Sequence, residues 1–158
     1  MKCQRQYSTG FTLTELLLTL AIAGVVAVLA VPNFQSLVQS QRVKNASFEL
    51  YSSLSLARSE AIKRNSNVTL TGVPYANNEF GWSITAAGGE VISTQGAMKG
   101  IVFTVLPGGA TGITYTRTGR ATATPTFQID TSATPTANVR CITIELSGMP
   151  RAAKGACA

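Results

Sequence analysis

Residues 11–31 form a run of 21 residues with a single ionisable side chain, Glu15. No other stretch restricts the fold as severely. About 20 apolar residues are enough to cross a bilayer as a helix. A helix that is apolar on every side needs lipid or protein around it. A carboxylate near one end of such a helix costs roughly a few kcal/mol unless something pairs with it. An ordinary secretory signal peptide is one alternative, with Val28-Leu29-Ala30 as a small-residue cleavage site. The run is longer than the roughly 7–15 apolar residues of a signal core, and that reading gives Glu15 no role. A lipoprotein signal is excluded by position, because Cys3 precedes the run.

Gly10-Phe11-Thr12-Leu13-Thr14-Glu15, followed by the apolar stretch, resembles the class III leader of type IV pilins and pseudopilins. The family has Ile or Val where Thr14 stands. The resemblance implies that a prepilin peptidase cuts between Gly10 and Phe11 and N-methylates Phe11. Glu15 then becomes the fifth mature residue and pairs with the N-terminal amine of a neighbouring subunit during assembly. It also implies three segments: a leader over residues 1–10, a transmembrane and assembly helix over 11–31, and a periplasmic head over 32–158. Lys2 and Arg5 precede the apolar run, and the positive-inside bias keeps that end in the cytoplasm. The expected location is the bacterial inner membrane, single-pass, then a filament. Other pilins or pseudopilins, the inner membrane and the peptidase are the expected partners.

Composition removes other functions. The sequence has no histidine, so histidine-based metal sites and a Ser-His-Asp set are ruled out. Asp130 and six glutamates are scattered, and Gly108-Gly109 lacks the strand–loop–helix setting of a phosphate loop. A secreted enzyme is therefore the weakest alternative, and no cofactor or metal is expected. The formal charge is +6, and removal of Lys2 and Arg5 leaves 11 basic against 7 acidic side chains. That is less concentrated than in a dedicated nucleic-acid module. Cys3 leaves with the leader. Cys141 and Cys157 remain in an oxidising compartment and are expected to pair, the alternative being two free thiols. Zinc is not expected with two cysteines and no histidine.

Pro32 follows the apolar run and should kink or locally melt the helix. Beyond it, Val43, Ala46, Leu50, Leu54, Ala57 and Ala61 recur at helical spacing and form one stripe that should pack on a sheet. The helix should end near Arg64, where Asn65-Ser66-Asn67 breaks it. A period of two then predicts strands over 68–73, 80–85, 90–94, 101–106, 112–117, 126–130 and 139–146. Gly88-Gly89, Pro107-Gly108-Gly109 and Thr118-Gly119-Arg120 read as breaks, and residues 131–138 as a polar loop. The class is α+β, a long helix on antiparallel sheets. Ala23 and Ala27 give a small face that suits either close helix packing or lipid.

Leu56-Ala57-Arg58-Ser59-Glu60-Ala61-Ile62-Lys63-Arg64-Asn65 is similar to the helix end of GspH/FimT minor pilins and pseudopilins. Gly81-Trp82, Gly119-Arg120, Arg140-Cys141-Ile142-Thr143-Ile144 and Ser147-Gly148 fit the same family. The resemblance implies a head in which one helix packs on two antiparallel sheets, with Trp82 an ordinary core aromatic. It implies a structural subunit of a type IV pilus or a type II secretion pseudopilus. Some FimT-like members serve DNA uptake through a C-terminal Gly-Arg-x-Arg motif. Here the stretch reads Gly148-Met149-Pro150-Arg151, with Met149 in place of the first arginine. Arg117, Arg120, Arg151 and Lys154 are the candidate DNA contacts, the alternative being a solvated basic face.

Overall fold

The computed structural model describes residues 11–75, 79–106, 111–131 and 136–157, with backbone alone for 29–33. The chain divides into two compact units, Met1–Val38 and Gln39–Ala158. One helix, α1 (Leu13–Arg64, 52 residues), begins in the first and ends in the second.

In the first unit α1 starts on a capping sequence. The Thr12 hydroxyl accepts from the Glu15 amide at 3.3 Å, and the Thr12 carbonyl accepts from the Leu16 amide at 3.2 Å. Thr12 is thus the N-cap, and the acid at Glu15 lies in the first turn, where the helix dipole favours negative charge. Helical backbone continues through position 32, so no local melting occurs there. The Pro32 side chain lies outside the described residues, as do the proposed leader 1–10 and Cys3. Among the described residues no helix is long and apolar enough to cross a membrane. The apolar residues with described side chains, 13–28, are fewer than the about 20 that a span needs.

In the second unit the expected stripe is the buried face of α1. Val43, Ala46, Leu50, Leu54, Ala57 and Ala61 are all buried, joined by Ser47. The helix ends as the sequence indicates. Asn65 takes a left-handed conformation (φ 49°), and the Asn65 and Ser66 amides return to the carbonyls of Ile62 and Ala61, both at 3.2 Å. This pair of bonds satisfies carbonyls that the last turn would leave unmet.

Among the described residues eight strands follow: β1 (Val68–Pro74), β2 (Phe80–Ala86), β3 (Val91–Gln95), β4 (Val102–Leu106), β5 (Gly112–Tyr115), β6 (Thr126–Asp130), β7 (Arg140–Ile144) and β8 (Pro150–Lys154). They form two four-stranded antiparallel sheets, ordered β3-β2-β1-β5 and β4-β6-β7-β8. Alternating residues of both sheets meet the helix stripe in one core: Val68, Leu70, Trp82, Ile84, Ile113 and Tyr115 from the first, Phe103, Phe127, Ile129, Ile142 and Ile144 from the second. Burying each large aliphatic or aromatic side chain stabilises the fold by about 1.5–3 kcal/mol. Trp82 of β2 meets Phe103 of β4 edge to face at 5.7 Å, which joins the two sheets directly.

The strand boundaries depart from the sequence expectation where turns claim residues. β5 stops at Tyr115, because Thr116 already bonds across the turn to Arg120 and Gly119. β7 stops at Ile144, because Glu145 opens a turn closed by Met149 and Gly148. β8 was not expected at all. Pro-Arg-Ala-Ala-Lys shows no alternation and little β preference, yet it pairs with β7 along its whole length. It lies at the edge of its sheet with proline at its first position, where the missing N–H costs least. The expected break at 107–109 lies outside the described residues. Part of the polar loop does too, but Asp130 anchors its ends by accepting from Thr131 and Thr136.

Candidate functional site

Three surfaces could carry function, and each begins with a local sequence pattern. The first is the N-terminal part of α1. Leu13, Leu16, Leu17, Leu18, Leu20, Ile22, Val25, Val26 and Val28 are all exposed, around the full circumference of the helix. Phe11, just before the helix, is 79 % exposed. Apolar exposure on every side marks a segment whose partner lies outside the chain. Glu15 is also exposed, and Gly10 is outside the described residues.

The second surface is the end of the head where family-like segments meet. Arg58 donates through Nε to the Gly119 carbonyl at 3.0 Å and through Nη2 to the Ser147 carbonyl at 3.5 Å. The turn after β5 and the turn after β7 are therefore bound to the helix by one guanidinium. Both turns need glycine: Gly119 has φ 74° and Gly148 has φ 81°. A Cβ on Gly148 would stand 2.0 Å from the Gly119 carbonyl oxygen. Sequence reading had these segments as separate family marks and missed that they touch; Arg58 on the flank of the apolar stripe was the available signal. Beyond this junction, Glu60 and Glu90 both bind Arg64, at 2.7 and 2.6 Å, which fastens the helix end to the β2–β3 hairpin. Hydrogen bonds from Arg64 and then Lys63 hold the Glu60 carboxyl below its usual range.

The third surface is the tail. Cys141 and Cys157 form a disulfide, as expected. The Gly155 amide donates to Val139 at 3.0 Å and the Cys157 amide to the Gln128 side-chain carbonyl at 3.3 Å. The tail thus covers the outer face of β6 and β7, which is why Gln128 and Cys141 are buried on a face that would otherwise be wet.

The four candidate DNA contacts do not form one patch. Arg117 and Arg120 are exposed on the turn after β5, beside the turn that leads into β8. Arg151 is exposed but paired with Glu145 at 2.8 Å. Lys154 is three residues further along the strand, so it projects from the opposite face of the sheet. Lys154 instead joins Lys44 and Arg140 around a recess of about 230 Å³. No group of residues suited to a metal ion occurs among the described residues.

Comparison with known proteins agrees with this architecture. The sequence profile of the family described as type II transport protein GspH matches residues 46–148. That of the prokaryotic N-terminal methylation motif matches residues 5–31. No curated protein sequence matches the chain. Among solved structures, the minor pseudopilin EpsH of the Vibrio cholerae type II secretion system superposes with a TM-score of 0.57 at 14 % identity, covering 77 % of this chain and 99 % of that one. The type IV minor pilin FimU of Pseudomonas aeruginosa gives 0.54 at 19 % identity, covering 70 % and 87 %. Identities this low show a shared fold.

Proposed function

The chain belongs to the GspH family and is a structural minor pilin or pseudopilin, and from that premise we propose how its parts serve assembly. Residues 11–31 anchor the unassembled subunit in the inner membrane, with the head in the periplasm. A prepilin peptidase removes residues 1–10 and methylates Phe11. The subunit then passes into a type IV pilus or a type II secretion pseudopilus, where helices of neighbours replace lipid. The observation that carries this reading is the apolar, exposed surface of α1 before position 29, interrupted by a single charge at Glu15. A lipid-embedded or helix-packed segment needs that surface.

Glu15 has two roles in this scheme. Within the subunit it completes the first helical turn behind the Thr12 cap. In assembly its carboxylate meets the new N-terminal amine of a neighbour, so that neither charge is buried alone. Glu15→Ala tests the second role. The variant should insert and be cleaved after Gly10, which mass spectrometry of the mature chain would register. Its recovery in sheared filaments should drop at least tenfold. Undiminished incorporation would remove the carboxylate from the assembly step, and a mature chain beginning elsewhere than Phe11 would remove the pilin processing.

A second reading is contact with duplex DNA through Arg117, Arg120 and Arg151. The observation favouring it is that the turn carrying Arg117 and Arg120 adjoins, through Gly119 and Gly148, the turn that leads into β8, where Arg151 is exposed. Two to three phosphate contacts would give a log–log salt slope of about −2 to −3. Titration of a short duplex at several salt concentrations tests it, and Arg120→Ala should flatten the slope.

A further inference from the structure

One feature of the head works against its stability. Arg140 and Lys154 are directly opposite each other on the antiparallel pair β7–β8. Residues in that position share a face, and like charges there are destabilising. Lys44, from α1, enters the same recess, with Ser40 one turn before it and Asn138 in the turn that precedes β7. Three elements thus bring three cations around about 230 Å³, and none of the described lining residues is acidic. The carboxylates that form ion pairs among the described residues are elsewhere, on Lys63, Arg64 and Arg151.

Beside the recess runs an apolar groove of about 410 Å³, lined by Ser47, Phe48, Tyr51 and Ala152. Lys44 and Arg140 line both, so the two cavities meet at these side chains. Phe48 is 70 % exposed although it borders the groove. A cationic recess continuous with an apolar groove matches an amphiphile with an anionic head.

We propose that the Lys44–Arg140–Lys154 recess and the Phe48–Tyr51 groove together form a binding site for an anionic phospholipid. The phosphate occupies the recess and the first carbons of an acyl chain lie along the groove. A phosphate presents several oxygens to donors arriving from different directions, which suits two ammonium groups and one guanidinium on three elements. A carboxylate, with two oxygens in one plane, is met better by a single guanidinium fork. A duplex phosphodiester is flanked by its neighbours and fits an open surface rather than a recess. The bound anion also removes the repulsion between Arg140 and Lys154, so binding stabilises the head.

The test uses the full chain in a neutral detergent at low salt, with unfolding followed by the fluorescence of Trp82, the single tryptophan. Dihexanoyl phosphatidylglycerol should raise the unfolding midpoint saturably, as a ligand of the native state does. Dihexanoyl phosphatidylcholine carries a cation that the recess repels, and inorganic phosphate has no chain for the groove. Each should need at least tenfold more ligand. Arg140→Gln, Lys154→Gln and Lys44→Gln should each raise the half-saturating concentration of phosphatidylglycerol about tenfold, the loss of one charge-assisted bond. Without ligand these variants should melt at or above the wild-type midpoint, since a like charge has gone, which separates lost binding from lost folding. Phe48→Ser should weaken phosphatidylglycerol but leave inorganic phosphate unchanged. The proposal is overturned by the absence of a saturable rise, by a rise that Arg140→Gln leaves intact, or by equal potency of phosphate and lipid. It is also overturned if a DNA duplex, and not the lipid, gives the Arg140-dependent rise.

Discussion

The two ends of α1 obey opposite rules although they belong to one helix. Between Val43 and Ala61 the apolar residues of the stripe recur every three or four positions and every one of them is buried. Between Leu13 and Val28 they are nearly continuous and the large ones are exposed. Periodicity tells a helix which way to face, and a run without periodicity leaves the facing to the surroundings. The head half is therefore committed to its own sheets, while the described side chains of the other half stay exposed. Stability and assembly should accordingly be separable by mutation.

The largest expected effect breaks the head without touching the other end. Leu54→Ala removes a fully buried side chain facing both sheets and should cost about 2–5 kcal/mol in denaturant unfolding. Leu18→Ala deletes the same atoms from an exposed position and should leave that unfolding curve unchanged. Equal losses at the two sites would show that the halves are not distinct in the way their burial indicates.

The disulfide sharpens the comparison within the head, because it holds a strand that has few other means of staying in place. β8 is a sheet edge with four exposed residues in five. Cys157→Ser reopens a loop with a sequence separation of 16, a loss of about 3 kcal/mol in the chain-entropy model. Hydrogen exchange should quicken first at β8 and the tail amides of Gly155 and Cys157, while β1 and β2 stay protected. Uniform acceleration across both sheets would mean that the tail is part of the core's cooperative unit.

What was legible in the sequence follows the same division. The helix stripe, its end at Arg64, seven strands and the cysteine pair could be read because each rests on a local period, a breaker or a count. β8 could not, because its pairing is imposed by β7 and the disulfide rather than by its own residues. Nor could the convergence of Lys44 with Arg140 and Lys154, which follow it by some hundred positions in sequence and meet it only through the packing of α1 against β7 and β8. The Arg58 junction was half legible: its glycines showed as turns, but a turn in sequence does not say which other turn it touches.

That junction supplies a smaller effect. Gly148→Ala places a methyl group against the Gly119 carbonyl and holds alanine at φ 81°, so it should cost about 1–3 kcal/mol. Gly24→Ala, in the other half of α1, meets nothing within 4 Å and improves helix propensity, so head unfolding should not change. A Gly148→Ala protein as stable as the wild type would mean that the two turns can separate without loss.

The smallest effect comes from the one side-chain polar atom that the head buries without a partner among the described residues, the Tyr115 hydroxyl. Burial pushes its pKa up to about 12, against a smaller opposing pull from the Arg58 charge. The unfolded tyrosine ionises near 10, so between about pH 10 and 12 the unfolded chain loses a proton that the native chain keeps. Native stability should therefore fall through that window and level off above it. Tyr115→Phe keeps the ring in the core and discards the unmet hydroxyl. It should raise stability near neutral pH by about 1 kcal/mol, because an unsatisfied buried polar group is removed. It should also flatten the alkaline limb relative to wild type, which isolates Tyr115 from the other tyrosines and the lysines that titrate there. The N-terminal half offers a matched control, since Glu15 is the single ionisable side chain of residues 11–31 and lies outside the head. Glu15→Ala should leave the alkaline limb as it is. If Tyr115→Phe destabilised the head instead, the hydroxyl would have a partner that the packing of β5 against Arg58 does not provide.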